Sequence, residues 1–326
     1  MPRIVRIATI AMQGQGGPTV TANRQRMAGL IEQALAERPD ILAIPESFTL
    51  AGLDAEQARM EEMAEDVPGP TLEMAAAYAR RYHAYLLCPI LSRRPDGLHI
   101  EAFLLDRTGQ IAGSYQKHHP VVEGSQYRQV EFGSRPGRTL PVFDTDFGRI
   151  GVQICFDVEY QDGWEALDQA GAEIIFWLSA YDGGRSVSSK AWTYHRFVVS
   201  AVQRTYARII DLMGETLAST GKHDPIVACN IDLDTFLFHT DFNRTQLPAI
   251  RARYGPDISV RIYHEENYFT LRSNRTDLPV SQVIAEFNLE PLKEYIRRNQ
   301  RLQDALRSGE AIPDLTPPYQ GRTQWV

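Results

Sequence analysis

Short, almost unbroken apolar runs recur along the first 235 residues: 3–10 (RIVRIATI), 41–45 (ILAIP), 85–90 (YLLCPI), 149–154 (RIGVQI), 174–178 (IIFWL) and 197–202 (FVVSAV). Runs this short and this rich in branched residues read as strands. Between them lie stretches of helical period. Residues 21–37 carry Met27, Leu30, Ile31 and Leu35 on one side and stop before Pro39, and 71–82 carries Leu72, Met74, Ala75 and Tyr78. Strands alternating with helices predict an α/β fold. With 326 residues, 43% of them apolar, the chain is long enough to bury a sizeable core.

Two segments repeat one design. LLDRTGQIAGS (104–114) and IIDLMGETLAS (210–220) share apolar-apolar-Asp-x-x-Gly-x-x-Ala/Leu, the pattern of a hairpin with an Asp/Gly turn. The repetition points to a fold of two similar halves; recurrence of a common turn is the other explanation.

Charge and composition exclude several function classes. The net charge is −7 and no block of five or six basic residues occurs, so neither a nucleic-acid nor an anionic-membrane partner is expected. The N-terminal apolar run is too short and interrupted for a signal peptide, and 174–178 is far short of a membrane span. Three cysteines, Cys88, Cys155 and Cys229, without a CxxC pair suggest a reduced, cytoplasmic protein. His118 and His119 are adjacent, which is not metal-ligand spacing, and no HxH or HExxH occurs; no metal and no cofactor are expected. The Gly-rich stretches 14–17 and 182–184 lack the phosphate-binding patterns and read as turns.

Three polar residues stand where strand-like runs end. Glu46 closes DILAIPES, Lys117 follows the first hairpin, and Cys155 closes RIGVQI ahead of helix-compatible sequence. A base, a cation and a thiol at the ends of sheet strands can converge on one pocket, as acyl transfer by a thiol requires. A helix N-terminus and a neighbouring ammonium both favour the thiolate of Cys155. Taken singly, each residue has an ordinary alternative: a buried structural cysteine, a capping acid, a solvated lysine. Cys88 and Cys229 are read as structural.

The contexts PESFTLAG, YQKHHP and GVQICFD, in this order and spacing, resemble the carbon–nitrogen hydrolase (nitrilase) superfamily over about residues 4–235. The resemblance implies a four-layer α-β-β-α sandwich in a domain spanning 1–235. It also implies a non-peptide C–N hydrolase whose Cys155 forms a thioester with a small molecule. Glu46 would be the general base and Lys117 the oxyanion partner, aided by the backbone N–H of Phe156. The family's second glutamate matches Glu131, preferred over Glu123. His119 would orient pocket groups, and Phe156, Ser179 and Tyr181 are candidate substrate-contacting residues. CFD after the strand resembles the amidase and carbamoylase branches, so a small linear amide or N-carbamoyl substrate is expected. A nitrile substrate, or a catalytically lapsed binding protein, is the alternative.

The sequence departs from the family in three places. Gln116 stands where arginine is common, and His118 where an aliphatic residue is common. FDVEYQDGW offers Glu159, Gln161 and Asp162 in place of an arginine and a Pro-Glu pair. Almost no loop separates FVVSAVQRTY from ARIIDLMGE. Substrate identity therefore does not carry over.

Residues 236–326 are expected to form an extension packing on the domain or on a partner subunit. They are polar and turn-rich, with a helix at 291–306 and an extended, Pro-containing tail. The resemblance also implies a homodimer or higher homo-oligomer. Tyr160, Trp164 and Leu167, at i, i+4 and i+7, are candidate apolar surface for that contact, as are Tyr319 and Trp325 of the tail.

Overall fold

A computed structural model describes residues 2–53, 57–123 and 129–311 of the chain. It divides into two compact units, Val5–Ile231 and Met1–Ile4 with Asp232–Val326. The expected tail residues Tyr319 and Trp325 lie outside the described residues.

In chain order the first unit runs β1 (Ile4–Ile10), α1 (Val20–Ala36), β2 (Ile41–Ala43), α2 (Gln57–Met63), α3 (Pro70–Tyr82), β3 (Tyr85–Arg94), β4 (Gly97–Leu105) and β5 (Ile111–Gln116). After the short pair β6 (Val122–Glu123) and β7 (Gln129–Val130) come β8 (Val142–Asp144), β9 (Arg149–Ile154), α4 (Asp162–Gln169), β10 (Ile174–Ser179) and α5 (Gly184–Tyr194). The unit closes with β11 (Phe197–Val202), β12 (Arg208–Ile210), β13 (Thr216–Ser219) and β14 (Ile226–Asp232).

Two six-stranded sheets result, ordered β14-β1-β2-β3-β4-β5 and β13-β12-β11-β10-β9-β8. Residues of α1 and α3 (Met27, Leu30, Ile31, Leu72, Ala75) bury one face of the first sheet through Ala8, Ile10, Leu42, Leu86 and Phe103. Residues of α4 and α5 (Trp164, Leu167, Val187, Ala191) cover the second through Ile175, Trp177 and Val198. The two remaining faces meet each other. Thr9 donates to the Ser200 carbonyl at 2.7 Å, and the Met12 N–H donates to the Val202 carbonyl at 3.0 Å. This is the α-β-β-α sandwich.

The halves are built alike. β1, β2 and β3 are mutually parallel and β3-β4-β5 antiparallel; β9, β10 and β11 are mutually parallel and β11-β12-β13 antiparallel. Both hairpins share one turn. Asp106 Oδ1 accepts from the N–H of Thr108 and Gln110, and Asp211 Oδ1 accepts from the N–H of Met213 and Glu215. Gly109 and Gly214 take φ +77° and +76°, and an added Cβ would meet the Ala76 carbonyl at 2.5 Å in α3 and the Ser188 carbonyl at 2.8 Å in α5. Left-handed backbone against a helix carbonyl leaves room for glycine alone. A register shift falls in each hairpin, between Leu104 and Leu105 and between Ile209 and Ile210.

Trp164 and Leu167 are fully buried against the second sheet, so the expected apolar stripe is not a surface; Tyr160, before the helix, stays 41% exposed. The helix spends its apolar face on the sheet, beside that of α5.

The second unit holds a sheet that its polar composition hid: β15 (Phe236–His239), β16 (Ile258–Tyr263) and β17 (Tyr268–Ser273), antiparallel in the order β15-β17-β16. It also contains α6 (Leu247–Tyr254), α7 (Val280–Glu286) and α8 (Leu292–Ser308). Phe238, Ile250, Phe269, Leu271, Val280 and Val283 form its own core.

Candidate active site

Glu46, Lys117, Glu131 and Cys155 come together inside the first unit. Glu46 follows β2 and is 1% exposed; Lys117 follows β5 and is 1% exposed; Cys155 follows β9 and is 7% exposed. The Lys117 ammonium donates to Glu46 Oε1 at 2.8 Å and to Glu131 Oε2 at 2.6 Å. A buried ammonium flanked by two carboxylates keeps its charge. Burial alone would depress its pKa, but Glu46, Cys155 and Glu131 outweigh this and raise it.

The thiol sits against the same carboxylate. Glu46 and Ser179 both lie close enough to Cys155 to shift its titration. Burial first, then the Glu46 charge, push the thiol pKa above its usual range, against the pull of Lys117. Burial likewise raises the Glu46 carboxyl, with Glu131 adding to the effect and Lys117 opposing it. The resting pair is therefore a neutral thiol beside a carboxylate of raised basicity. The other oxygen of Glu46 accepts from the Ala180 N–H at 3.0 Å, and Gln203 Nε2 holds the Glu46 carbonyl at 2.7 Å. Glu46 is thus fixed by the residues that follow β10 and β11.

Cys155 opens a 3-10 turn (Cys155–Glu159) with φ +49°, a conformation uncommon for a residue with a Cβ. Two contacts hold it there. Trp177 Nε1 donates to the Cys155 carbonyl at 2.8 Å, and Asp157 Oδ2 accepts from the Ile154 N–H at 2.8 Å. Phe156 is next in the turn, and the first N–H groups of a helical turn have no acceptor within it.

Asp157, completely buried, is the residue that sequence reasoning passed over. It also accepts from the Tyr115 hydroxyl at 2.7 Å and from the His119 N–H at 2.8 Å, and its Oδ1 lies 3.2 Å from His119 Nδ1. It ties the end of β5 to the turn that bears the thiol. Its position in CFD was visible; that it would face Tyr115 and His119 was not.

The other expected residues divide. Ser179 is buried and accepts from the Tyr181 N–H at 3.1 Å. Tyr181 packs edge-on to Trp177, and its hydroxyl pKa is raised by burial and then by Cys155. Phe156 packs edge-on to Tyr160. The His119 ring meets Asp157, stacks on Tyr160 at 3.7 Å and reaches Asp162 at 3.3 Å, behind the cysteine turn. Glu123 lies in β6, and its side chain is outside the described residues. The five residues between β11 and β12 are held by Asp182, which accepts from the N–H groups of Thr205 and Tyr206 at 2.9 and 2.8 Å.

Comparison with known proteins bears on the whole arrangement. The profile of the carbon-nitrogen hydrolase family matches residues 6–236. A beta-ureidopropionase of Arabidopsis thaliana is 29% identical over 207 residues, covering 59% of this chain and 48% of that protein, so the chain spans about half its length. A deaminated glutathione amidase of Synechocystis is 24% identical, covering 74% of this chain and 96% of that one. Among solved structures, the Saccharomyces cerevisiae nitrilase-superfamily member Nit3 superposes with a TM-score of 0.60 at 17% identity, covering 78% of this chain and 95% of its own. An amidase from Nesterenkonia, solved with acrylamide, gives 0.59 at 17% identity, covering 70% and 91%. The superpositions establish a shared fold. The profile extends over most of the chain and through every segment that brings a residue to this site, and so the chain belongs to the carbon-nitrogen hydrolase family of enzymes.

Proposed function

We propose that the protein hydrolyses a small linear amide or N-carbamoyl compound through a thioester on Cys155. The observation that carries this reading is one buried cluster in which a thiol, a carboxylate of raised pKa and a charged ammonium meet. In the first step the thiol proton passes to Glu46 as sulfur bonds to the acyl carbon. The resulting oxyanion faces the Lys117 ammonium, two of whose three donors already meet Glu46 and Glu131, and the Phe156 N–H. As the C–N bond breaks, the leaving nitrogen takes the proton from Glu46 and departs as ammonia or an amine. Water then gives a proton to Glu46 and attacks the thioester, and sulfur leaves with that proton restored. Glu131 keeps Lys117 in place throughout.

The names of the relatives support the amide and carbamoyl classes. A screen of linear amides, N-carbamoyl amino acids and the matching nitriles, read by ammonia release, tests the proposal. Turnover of an amide or carbamoyl compound is expected; turnover of nitriles alone would assign the site to nitrile hydrolysis, and none at all would support a lapsed, binding role. The same reading includes a cytoplasmic homodimer, with residues 236–326 as an extension to the catalytic domain.

A further inference from the structure

We propose that His118, His119 and Asp162 form a binding site for one divalent transition-metal ion at the rim of the first unit. The adjacency of the two histidines hid the site, because the third donor arrives from α4. One donor atom of each lies within 4.8 Å of the others. Asp162 Oδ2 is 3.3 Å from His119 Nε2 and 3.7 Å from His118 Nε2. Tetrahedral zinc, with bonds of roughly 2.0–2.1 Å, sets its donors about 3.3 Å apart. One edge of that figure is already in place. A second is 3.7 Å, which the 54% exposed Asp162 side chain can shorten by a small rotation, and the third, between the two histidines, falls within 4.8 Å.

The histidines are prepared for such a role. His119 turns its other nitrogen, Nδ1, to the buried carboxylate of Asp157 at 3.2 Å, and its ring lies flat on Tyr160. A ligating histidine characteristically directs its second nitrogen to a carboxylate, which fixes the tautomer and aims Nε2 outward. In His118, Nδ1 is buried, so Nε2 is the nitrogen offered to the rim. Two imidazoles and one carboxylate suit zinc or cobalt(II), with water completing the shell. The ion would link the segment after Lys117 to α4 and take no part in the thiol chemistry.

The test uses the full chain without a polyhistidine tag, stripped with chelator, carrying Cys155→Ser so that the thiol cannot compete for metal. Cobalt(II) titration is followed by its visible absorption. One equivalent should bind at micromolar concentration without a near-ultraviolet thiolate band, and equimolar zinc should displace it. Zinc should raise the thermal midpoint. Asp162→Asn and His118→Gln, made separately, should each weaken binding at least about 10-fold and abolish the zinc-induced rise. Asp162 is exposed, so the first variant folds and serves as the control for the second. Absence of saturable binding, an affinity unchanged from the parent in either variant, or a thiolate band would overturn the site.

Discussion

At Cys155 the backbone is held at φ +49° by the Trp177 indole and by the turn that Asp157 closes. Such a residue costs on the order of 1–3 kcal/mol, and surrounding contacts must keep it in place. Cys155→Ala removes the sulfur and leaves those contacts, so turnover should vanish while the unfolding midpoint barely moves; activity above a tenth of the parent would exclude a covalent route. Lys117→Met should lower turnover about 10²-fold or more with little change in KM, because the ammonium meets the oxyanion rather than the bound substrate. A defect confined to KM would make Lys117 a substrate-binding residue. Glu46 must be ionised to take the thiol proton, and burial raises its pKa. The rate should therefore fall, as pH drops, at a value above the ordinary glutamate range of about 4.3. An acid limb in kcat/KM at or below that range would contradict the role. Glu46, Lys117 and Cys155 were legible because a polar residue closing an apolar strand is conspicuous. Asp157 resembled any acid in a first helical turn, and only the meeting of β5 with β9 gives it partners.

The strand that delivers Lys117 is itself pinned by a buried carboxylate. Glu101 in β4 accepts two bonds from the Arg94 guanidinium of β3 at 2.8 and 2.9 Å, one from Ser92 and one from Ser114 of β5, both at 2.6 Å. Next to it, the Lys117 N–H donates to the Ile100 carbonyl at 2.8 Å. Burial would raise the Glu101 pKa, but these donors prevail and hold it below the usual range. A carboxyl depressed in the folded state contributes stability above its unfolded pKa, and the contribution is lost as pH falls through the folded value. Glu101→Gln should thus cost about 1.5–3 kcal/mol near neutral pH and less in acid. Urea unfolding at two pH values measures the difference, and a cost independent of pH would show that the charge plays no part. The helices with clear periodicity were legible to within a residue or two, since α1, α3 and α8 carry apolar positions at helical spacing. The sheet β15-β17-β16 was not. Phe269 and Leu271 do alternate with polar residues in β17, but a single buried face amid charged turns leaves a weak signal. The same logic misled at Trp164 and Leu167, where helical spacing revealed an apolar face but not which surface would cover it.

For the whole molecule, light scattering at micromolar concentration should report a dimer; a monomer would refute that part of the reading, which now rests on surfaces other than Trp164 and Leu167. The repeated hairpin was the sequence trace of two halves with matching strand order and matching Asp–Gly turns. The residues of the cluster are divided between those halves. Glu46 and Lys117 close strands of the first, whereas Cys155 and Ser179 close strands of the second. A chain severed between Ser134 and Val142 would put the acid and the ammonium on one fragment and the thiol on the other. Each piece would keep most of one sheet and the helices on it, with the first sheet's edge strand β14 travelling on the second fragment, and neither would be competent alone. Mixing the two and watching activity return would make this enzyme a reporter of its own reassembly.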